Sequence, residues 1–344
     1  MNSLAMIDPA APLRRGLVDG FGRRITYLRL SVTDRCDLRC RYCMGEAMSF
    51  LPRAQILSIE EMAEVADAFI ARGVRKVRLT GGEPLVRRGV TDLARTIGCH
   101  IDSGALDELT LTTNATHLAD HADALFDAGV RRINVSLDSL DPERFRHITR
   151  TGDLDRVLAG IAAGKAAGLA IKINMVALKG LSEDEFAPML RWCGDQGFDL
   201  TLIETMPLGA IEEDRTDRYL PLDRVRAGLE AQFTLTPAVH RTGGPARYLN
   251  VAETGGRLGL ITPLTANFCD GCNRVRLTAS GRMYMCLGHD DRVDLKTALR
   301  EGGRDALDAA IEAGLAAKPL RHDFRISERG AAPAVGRHMS VTGG

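Results

Sequence analysis

Thr26-Tyr-Leu-Arg29-Leu-Ser-Val-Thr-Asp-Arg-Cys36-Asp-Leu-Arg-Cys40-Arg-Tyr42-Cys43 runs from an apolar stretch straight into three cysteines spaced Cys-X3-Cys-X2-Cys. Residues 26–32 predict a β-strand. The thiols then fall in a loop at its C-terminal end, where α/β barrels carry their active sites. The same unit recurs along the chain: β-rich runs at 76–80, 108–112, 132–137, 171–176 and 199–204 alternate with amphipathic helical stretches, the pattern of parallel strands joined by helical crossovers. Ser58 with Glu61 and Ser182 with Glu185 have capping-box spacing, and Asp141-Pro142 puts a proline at a helix start. Gly73, Gly129 and Gly168 mark helix ends. Periodicity alone fits either a doubly wound sheet or a barrel, complete or partial.

The composition narrows the class. With 45 basic and 45 acidic residues the 344-residue chain is formally neutral, which argues against a nucleic-acid polymer as partner. Hydrophobic residues make up 45%, charged residues 26%, and the mean hydropathy is −0.08; this is a globular composition, not a disordered or membrane-spanning one. Residues 1–24 lack an apolar segment followed by a cleavage site and read as a loosely ordered arm on a cytoplasmic protein. Eight cysteines are too few for a disulfide scaffold, so they are expected to be thiols, metal ligands or catalysts. Cys99 and Cys193 stand alone and read as helix-associated packing residues.

The other six form two triplets. Three local ligands without a fourth suit a centre that keeps a vacancy, as catalytic metal sites do, and a [4Fe–4S] cluster held by three cysteines leaves one iron open. A zinc site or redox thiols remain alternatives for Cys36, Cys40 and Cys43. Beyond about residue 226, Pro237, Gly243, Gly244, Pro245, Gly255 and Gly256 break the chain into short runs. Residues 274–278 and 282–287 flank Ala279-Ser280-Gly281 and predict a β-hairpin. Folding it would bring Cys286 to Cys269 and Cys272; a zinc ion with His289 as a distant fourth ligand also fits that spacing.

The cysteine loop, followed by Gly81-Gly82-Glu83-Pro84 after the second run, resembles that of radical S-adenosylmethionine (SAM) enzymes, and the second triplet and the terminal Gly343-Gly344 resemble those of the GTP 3′,8-cyclase family of molybdenum-cofactor biosynthesis. The resemblance covers nearly the whole chain. It implies an α/β fold, a partial (β/α)6 TIM-type barrel over residues 25–230, with a C-terminal α+β region, 231–344, carrying an auxiliary cluster. It implies two [4Fe–4S] clusters, on Cys36, Cys40 and Cys43 and on Cys269, Cys272 and Cys286, with SAM chelating the open iron of the first. Tyr42, Gly82, Ser136 and Met206 would line SAM. Arg29, Arg78, Thr112, Lys172, Arg274 and Arg276 would hold GTP, and Gly343 and Gly344 would reach into the active site and support cyclisation. The implied reaction takes the C3′ hydrogen of GTP with a 5′-deoxyadenosyl radical and joins C3′ to C8. An external one-electron reductant and a hand-off to cyclic pyranopterin monophosphate synthase are implied as partners; a monomer and a homodimer both fit.

Arginine supplies 39 of the 45 basic residues, so any one arginine is by default a solvated surface residue, whereas there are only six lysines and Lys172 should alternate inward with Asn174. The family's usual arginine on strand six is Thr201 here, removing one expected phosphate contact. Asp37, Gly45 and Ala115 replace the common asparagine, proline and glycine, with changes expected in loop detail. A peptide-modifying radical SAM maturase with an auxiliary cluster, and a non-enzymatic iron–sulfur or zinc module, share the cysteines and stand as alternatives.

Overall fold

The computed structural model describes residues 16–326 and 328–343. All six expected strands are present: β1 (Tyr27–Ser31), β2 (Lys76–Thr80), β3 (Glu108–Thr113), β4 (Arg132–Ser136), β5 (Ala170–Ala177) and β6 (Asp199–Glu204). They pair in parallel in that order. The crossovers are α1 (Ile59–Ile70), α2 (Val90–Asp102), α3 (Ala122–Asp127), α4 (Pro142–Thr149) with α5 (Leu154–Ala166), and α6 (Phe186–Gln196). Ser58 and Glu61 form the expected capping box on α1, and Asp141 caps α4.

Beyond β6 come α7 (Arg215–Arg218), α8 (Leu222–Glu230), β7 (Leu235–Pro237), β8 (Arg247–Val251), β9 (Arg257–Ile261), the hairpin β10 (Arg274–Leu277) and β11 (Arg282–Tyr284), β12 (Arg292–Asp294), α9 (Leu295–Ala316) and α10 (Met339–Thr342). The C-terminal strands extend both edges of the six-stranded core: β10 pairs with β1 and β9 with β6, each in parallel, giving one 12-stranded sheet. Six parallel strands that end on flanking strands rather than on each other make the partial barrel.

Side-chain alternation assigns the two faces. Leu28, Leu30, Val77 and Leu79 are fully buried in the core cluster that includes Val65, Phe69, Leu93 and Ile97 of the crossover helices. The opposite face carries Tyr27, Arg29, Arg78, Thr112, Asn134, Lys172 and Asn174, all lining a cavity of about 260 Å³. An (α/β)-barrel interior is ordinarily filled by branched aliphatic residues; here polar and charged side chains face inward and leave space.

Four expectations are corrected. Ser182 does not cap a helix: α6 starts at Phe186, because the Glu185 carboxylate accepts from Ser139 Oγ (2.9 Å) and Leu140 N (3.2 Å) instead of closing a box. The expected loose arm is tied down where it is described: Leu17 is buried, and Arg23 donates to the carbonyls of Cys269, Pro319 and Leu320; residues 1–15 lie outside the described residues. Residues 340–344 read from the sequence as a loose tail, but 339–342 are ordered as α10, with Ser340 and Thr342 buried. Cys193 is a core residue as expected, but Cys99 is exposed on α2.

Candidate active site

The two cysteine triplets sit at opposite ends of β1. Cys36 follows its C-terminal end at Ser31. Cys272 lies two residues before Arg274, which is level with Tyr27 at the strand's start. Tyr284 of β11 faces Arg276, so Cys286 comes level with Arg274, beside Cys272. The five residues of β1, roughly 16 Å of strand, separate the two groups, and all six thiols line the one cavity. None is in a disulfide. Among the described residues no three His, Cys, Asp or Glu groups gather around a single-ion position. His289, the example of a fourth ligand in the alternative zinc reading, is half-buried with Nε2 2.9 Å from the carbonyl oxygen of Arg321. Two all-thiol sets of three fit iron–sulfur clusters, which are held by cysteine thiolates.

The environments of the triplets differ. Burial pushes the Cys36, Cys40 and Cys43 thiols up, Cys43 to about 12. Burial acts on Cys272 in the same direction, but Arg274 and Lys318 outweigh it and its thiol falls to about 7.

Around the first triplet the loops lock together. Glu83, fully enclosed, accepts from Thr113 Oγ1 (2.8 Å), Asn114 N (2.7 Å) and Leu85 N (2.9 Å), joining the loops after β2 and β3; burial nevertheless raises it to about 7. A Cβ on Gly82 would stand 2.3 Å from the Arg35 carbonyl oxygen and one on Gly81 2.5 Å from that of Thr33. Both glycines thus serve the contact between this loop and the cysteine loop, a tighter constraint than approach to a ligand. Tyr42 donates to Asp138 (2.8 Å), whose other oxygen accepts from Val176 N (2.8 Å). Asp138, raised to about 6 by burial, was not foreseen; its partners lie on β5 and in the cysteine loop, far apart in the chain. Gly82, Ser136 and Met206 line the cavity beside them.

Between the triplets lies a sheet of cations. Register places Arg276, Arg29 and Arg78 in one row across β10, β1 and β2, and Arg274, Tyr27 and Lys76 in the next row. Lys172 of β5 faces the same space and donates to Tyr248 Oη (3.2 Å), while Arg78 donates to Thr112 Oγ1 (3.0 Å). Arg78, Arg274 and Arg276 are buried, each with an unpartnered Nε, and among the described residues none of them, nor Lys172, forms an ion pair with a carboxylate. Like charges side by side in a sheet are destabilising, and buried cations without counter-charges more so; the arrangement asks for a polyanion. Burial, then repulsion from its cationic neighbours, lowers Arg29 to about 9 and Arg276 to about 10, and holds Lys172 well below its usual range.

Thr201 is fully buried with its hydroxyl unpartnered, against Gly259 of β9. Ala115 keeps a left-handed φ of 63°, a conformation that costs an L-residue roughly 1–2 kcal/mol and glycine little. Gly343, φ 76°, closes the cavity against β2: a Cβ there would lie 2.2 Å from Thr80 Cγ2. Gly344 lies outside the described residues.

Two family models match the chain, Radical SAM superfamily over residues 30–193 and Molybdenum Cofactor Synthesis C over residues 198–324. A protein of Erythrobacter litoralis named GTP 3′,8-cyclase is 61% identical over 95% of this chain and 98% of its own length. One of the same name from Rhodopseudomonas palustris is 59% identical over 99% of both. The chain belongs to the GTP 3′,8-cyclase family. Among solved structures, Streptococcus suis SuiB bound to its precursor peptide SuiA superposes with a TM-score of 0.61 at 14% identity, over 93% of this chain and 77% of that one. That likeness shows a shared fold, on which this chain carries the row of buried cations described above.

Those cations can be read out optically. Burial favours the neutral phenol of Tyr27, yet Arg78, Arg29, Lys76 and Arg274 together bring it down to about 8, against about 10 for a free tyrosine. In a spectrophotometric titration of the ligand-free protein, one of the five tyrosines should ionise near pH 8. Tyr27→Phe should remove that step, and a bound polyanion such as triphosphate should shift it upward. A titration with no tyrosine ionising below about pH 9.5 would contradict the cationic field.

Proposed function

We propose that the chain is a radical SAM GTP 3′,8-cyclase, a lyase that converts GTP to (8S)-3′,8-cyclo-7,8-dihydroguanosine 5′-triphosphate at the start of molybdenum-cofactor biosynthesis. The observation that carries this reading is one cavity with a thiol triplet at each end and, between them, the buried cations Arg78, Lys172, Arg274 and Arg276, which among the described residues pair with no carboxylate. Cys36, Cys40 and Cys43 would hold a [4Fe–4S] cluster that, when reduced and bound to SAM, would supply the 5′-deoxyadenosyl radical needed to remove a hydrogen that no side chain is basic enough to take.

The protein's own part is holding and shielding. Cys36, Cys40 and Cys43 hold the first cluster, and Tyr42, Gly82, Ser136 and Met206 line the space for SAM. Cys269, Cys272 and Cys286 hold the second. Arg29, Arg78, Lys172, Arg274 and Arg276, with Thr112 bonded to Arg78, hold the triphosphate through charge-assisted bonds. Gly343 closes the chamber, its contact with Thr80 admitting no side chain, and with Gly344 it supports the cyclisation. Fixing the ribose and base this way is positional catalysis. A peptide substrate, as in SuiB, would not require the buried row of arginines.

The electron comes from an external one-electron reductant, the product passes to cyclic pyranopterin monophosphate synthase, and the enzyme acts in the cytoplasm as a monomer or homodimer. No helix among the described residues is long and apolar enough to cross a membrane. Anaerobic reconstitution should give roughly eight irons per chain, and GTP should raise the yield of 5′-deoxyadenosine while being consumed. Full iron content with GTP left intact would overturn the proposal.

A further inference from the structure

Three of the six lysines are buried: Lys76, Lys172 and Lys318. The first two face the cationic wall. Lys318, just beyond α9, does not; only 3% exposed, it stands behind the second triplet, with Nζ 3.6 Å from Cys272 Sγ, 3.2 Å from the carbonyl oxygen of Arg274 and within hydrogen-bond distance of that of Met285. Its three protons therefore meet one sulfur and one carbonyl on each arm of the hairpin that carries Cys272 and Cys286. Among the described residues it forms no ion pair with a carboxylate. A buried ammonium needs a counter-charge, and among the described residues the Cys272 sulfur is the group able to carry one that lies within hydrogen-bond distance.

The segment is held in place for this task. Arg23, paired with Asp19 (2.6 Å), donates to the carbonyls of Pro319 (2.7 Å) and Leu320 (2.6 Å), the two residues after Lys318, and also to that of Cys269 (2.8 Å). Residues 318–320 thus form a strap that brings the Lys318 ammonium to the Cys272 sulfur.

We propose that Lys318 is a positioning residue for the auxiliary cluster: its ammonium donates to the Cys272 sulfur, supplies the counter-charge of the bound cluster and raises its reduction potential. The inference rests on the proposed function in taking this triplet to hold a cluster. Hydrogen bonds to cluster sulfurs and nearby positive charge both favour the reduced form, in which one electron from the reductant takes the cluster from the 2+ to the 1+ state with no proton leaving Lys318.

The test uses the full chain carrying Cys36→Ala, which removes the first cluster from the spectrum, reconstituted anaerobically and titrated potentiometrically with electron paramagnetic resonance detection. Lys318→Met should shift the midpoint of the remaining cluster to more negative potential, and Lys318→Arg, which keeps charge and donors, should return it toward the parent value. An unchanged midpoint in an iron-replete Lys318→Met protein would overturn the proposal. Loss of iron in Lys318→Met that Lys318→Arg restores supports it, since Arg supplies the charge and donors that Met lacks; loss in both would reduce Lys318 to packing and overturn it. If the parent itself binds no iron at the second triplet, the failure lies with the proposed function, not with Lys318.

Discussion

Cys36→Ala abolishes reductive cleavage of SAM, whereas Cys286→Ala leaves uncoupled cleavage in place and removes conversion of GTP. The expectation follows from where the two residues stand. Cys36 belongs to the loop locked to Gly82 and to the Asn114 side of the cavity, and under the proposed function its loss should take the first cluster with it. Cys286 sits at the far end of β1, two residues beyond β11 of the hairpin. Each variant should bind about four irons instead of about eight. Measuring 5′-deoxyadenosine and GTP consumption side by side distinguishes the roles: no detectable 5′-deoxyadenosine from Cys36→Ala, and at least a hundredfold loss of cyclised product from Cys286→Ala at substantially retained cleavage. Equal loss of cleavage in both would mean that the triplets do not divide the work.

Arg276→Met raises KM for GTP without destabilising the ligand-free protein. Arg276 is buried beside Arg29 in the row Arg276, Arg29, Arg78, with Nε unpartnered. A charge-assisted hydrogen bond contributes about 1.5–3 kcal/mol, or about 10- to 150-fold in affinity. Lys172→Met should fall in the same range. In the absence of substrate the sign is opposite to that of an ordinary core substitution, because removing one of several adjacent buried cations relieves repulsion and desolvation. The melting temperature of ligand-free Arg276→Met should equal or exceed that of the parent, while stabilisation by saturating GTP should shrink. A fall in ligand-free stability with an unchanged KM would show that the arginine holds the sheet together and not the substrate.

The parts legible in the sequence were those coded locally. Strand period, the Cys-X3-Cys-X2-Cys loop, the Ser58 capping box and the β10–β11 hairpin each depend on residues within a few positions of one another. The Ser182–Glu185 signal was equally local and failed, because a tertiary partner, Ser139, took the carboxylate. Long-range register was not legible at all. That Arg276 lies beside Arg29 depends on β10 joining β1 in parallel across most of the chain; composition predicts only abundant, solvated arginines. Asp138 and Lys318 were missed for the same reason: each owes its place to contacts with Tyr42 or Cys272 that no spacing rule encodes. Formal neutrality argued against a nucleic-acid polymer as partner, yet it coexists with an inward cationic wall, since net charge says nothing about which charges face inside.

The central claim is that one cavity generates a radical at one end and presents the ribose of GTP to it. Turnover of GTP bearing deuterium at C3′ tests this most directly. The account predicts that the deuterium appears in 5′-deoxyadenosine, in step with formation of a product joined between C3′ and C8. Deuterium retained in the nucleotide while SAM is cleaved, or cleavage with no C3′–C8 product, would contradict it.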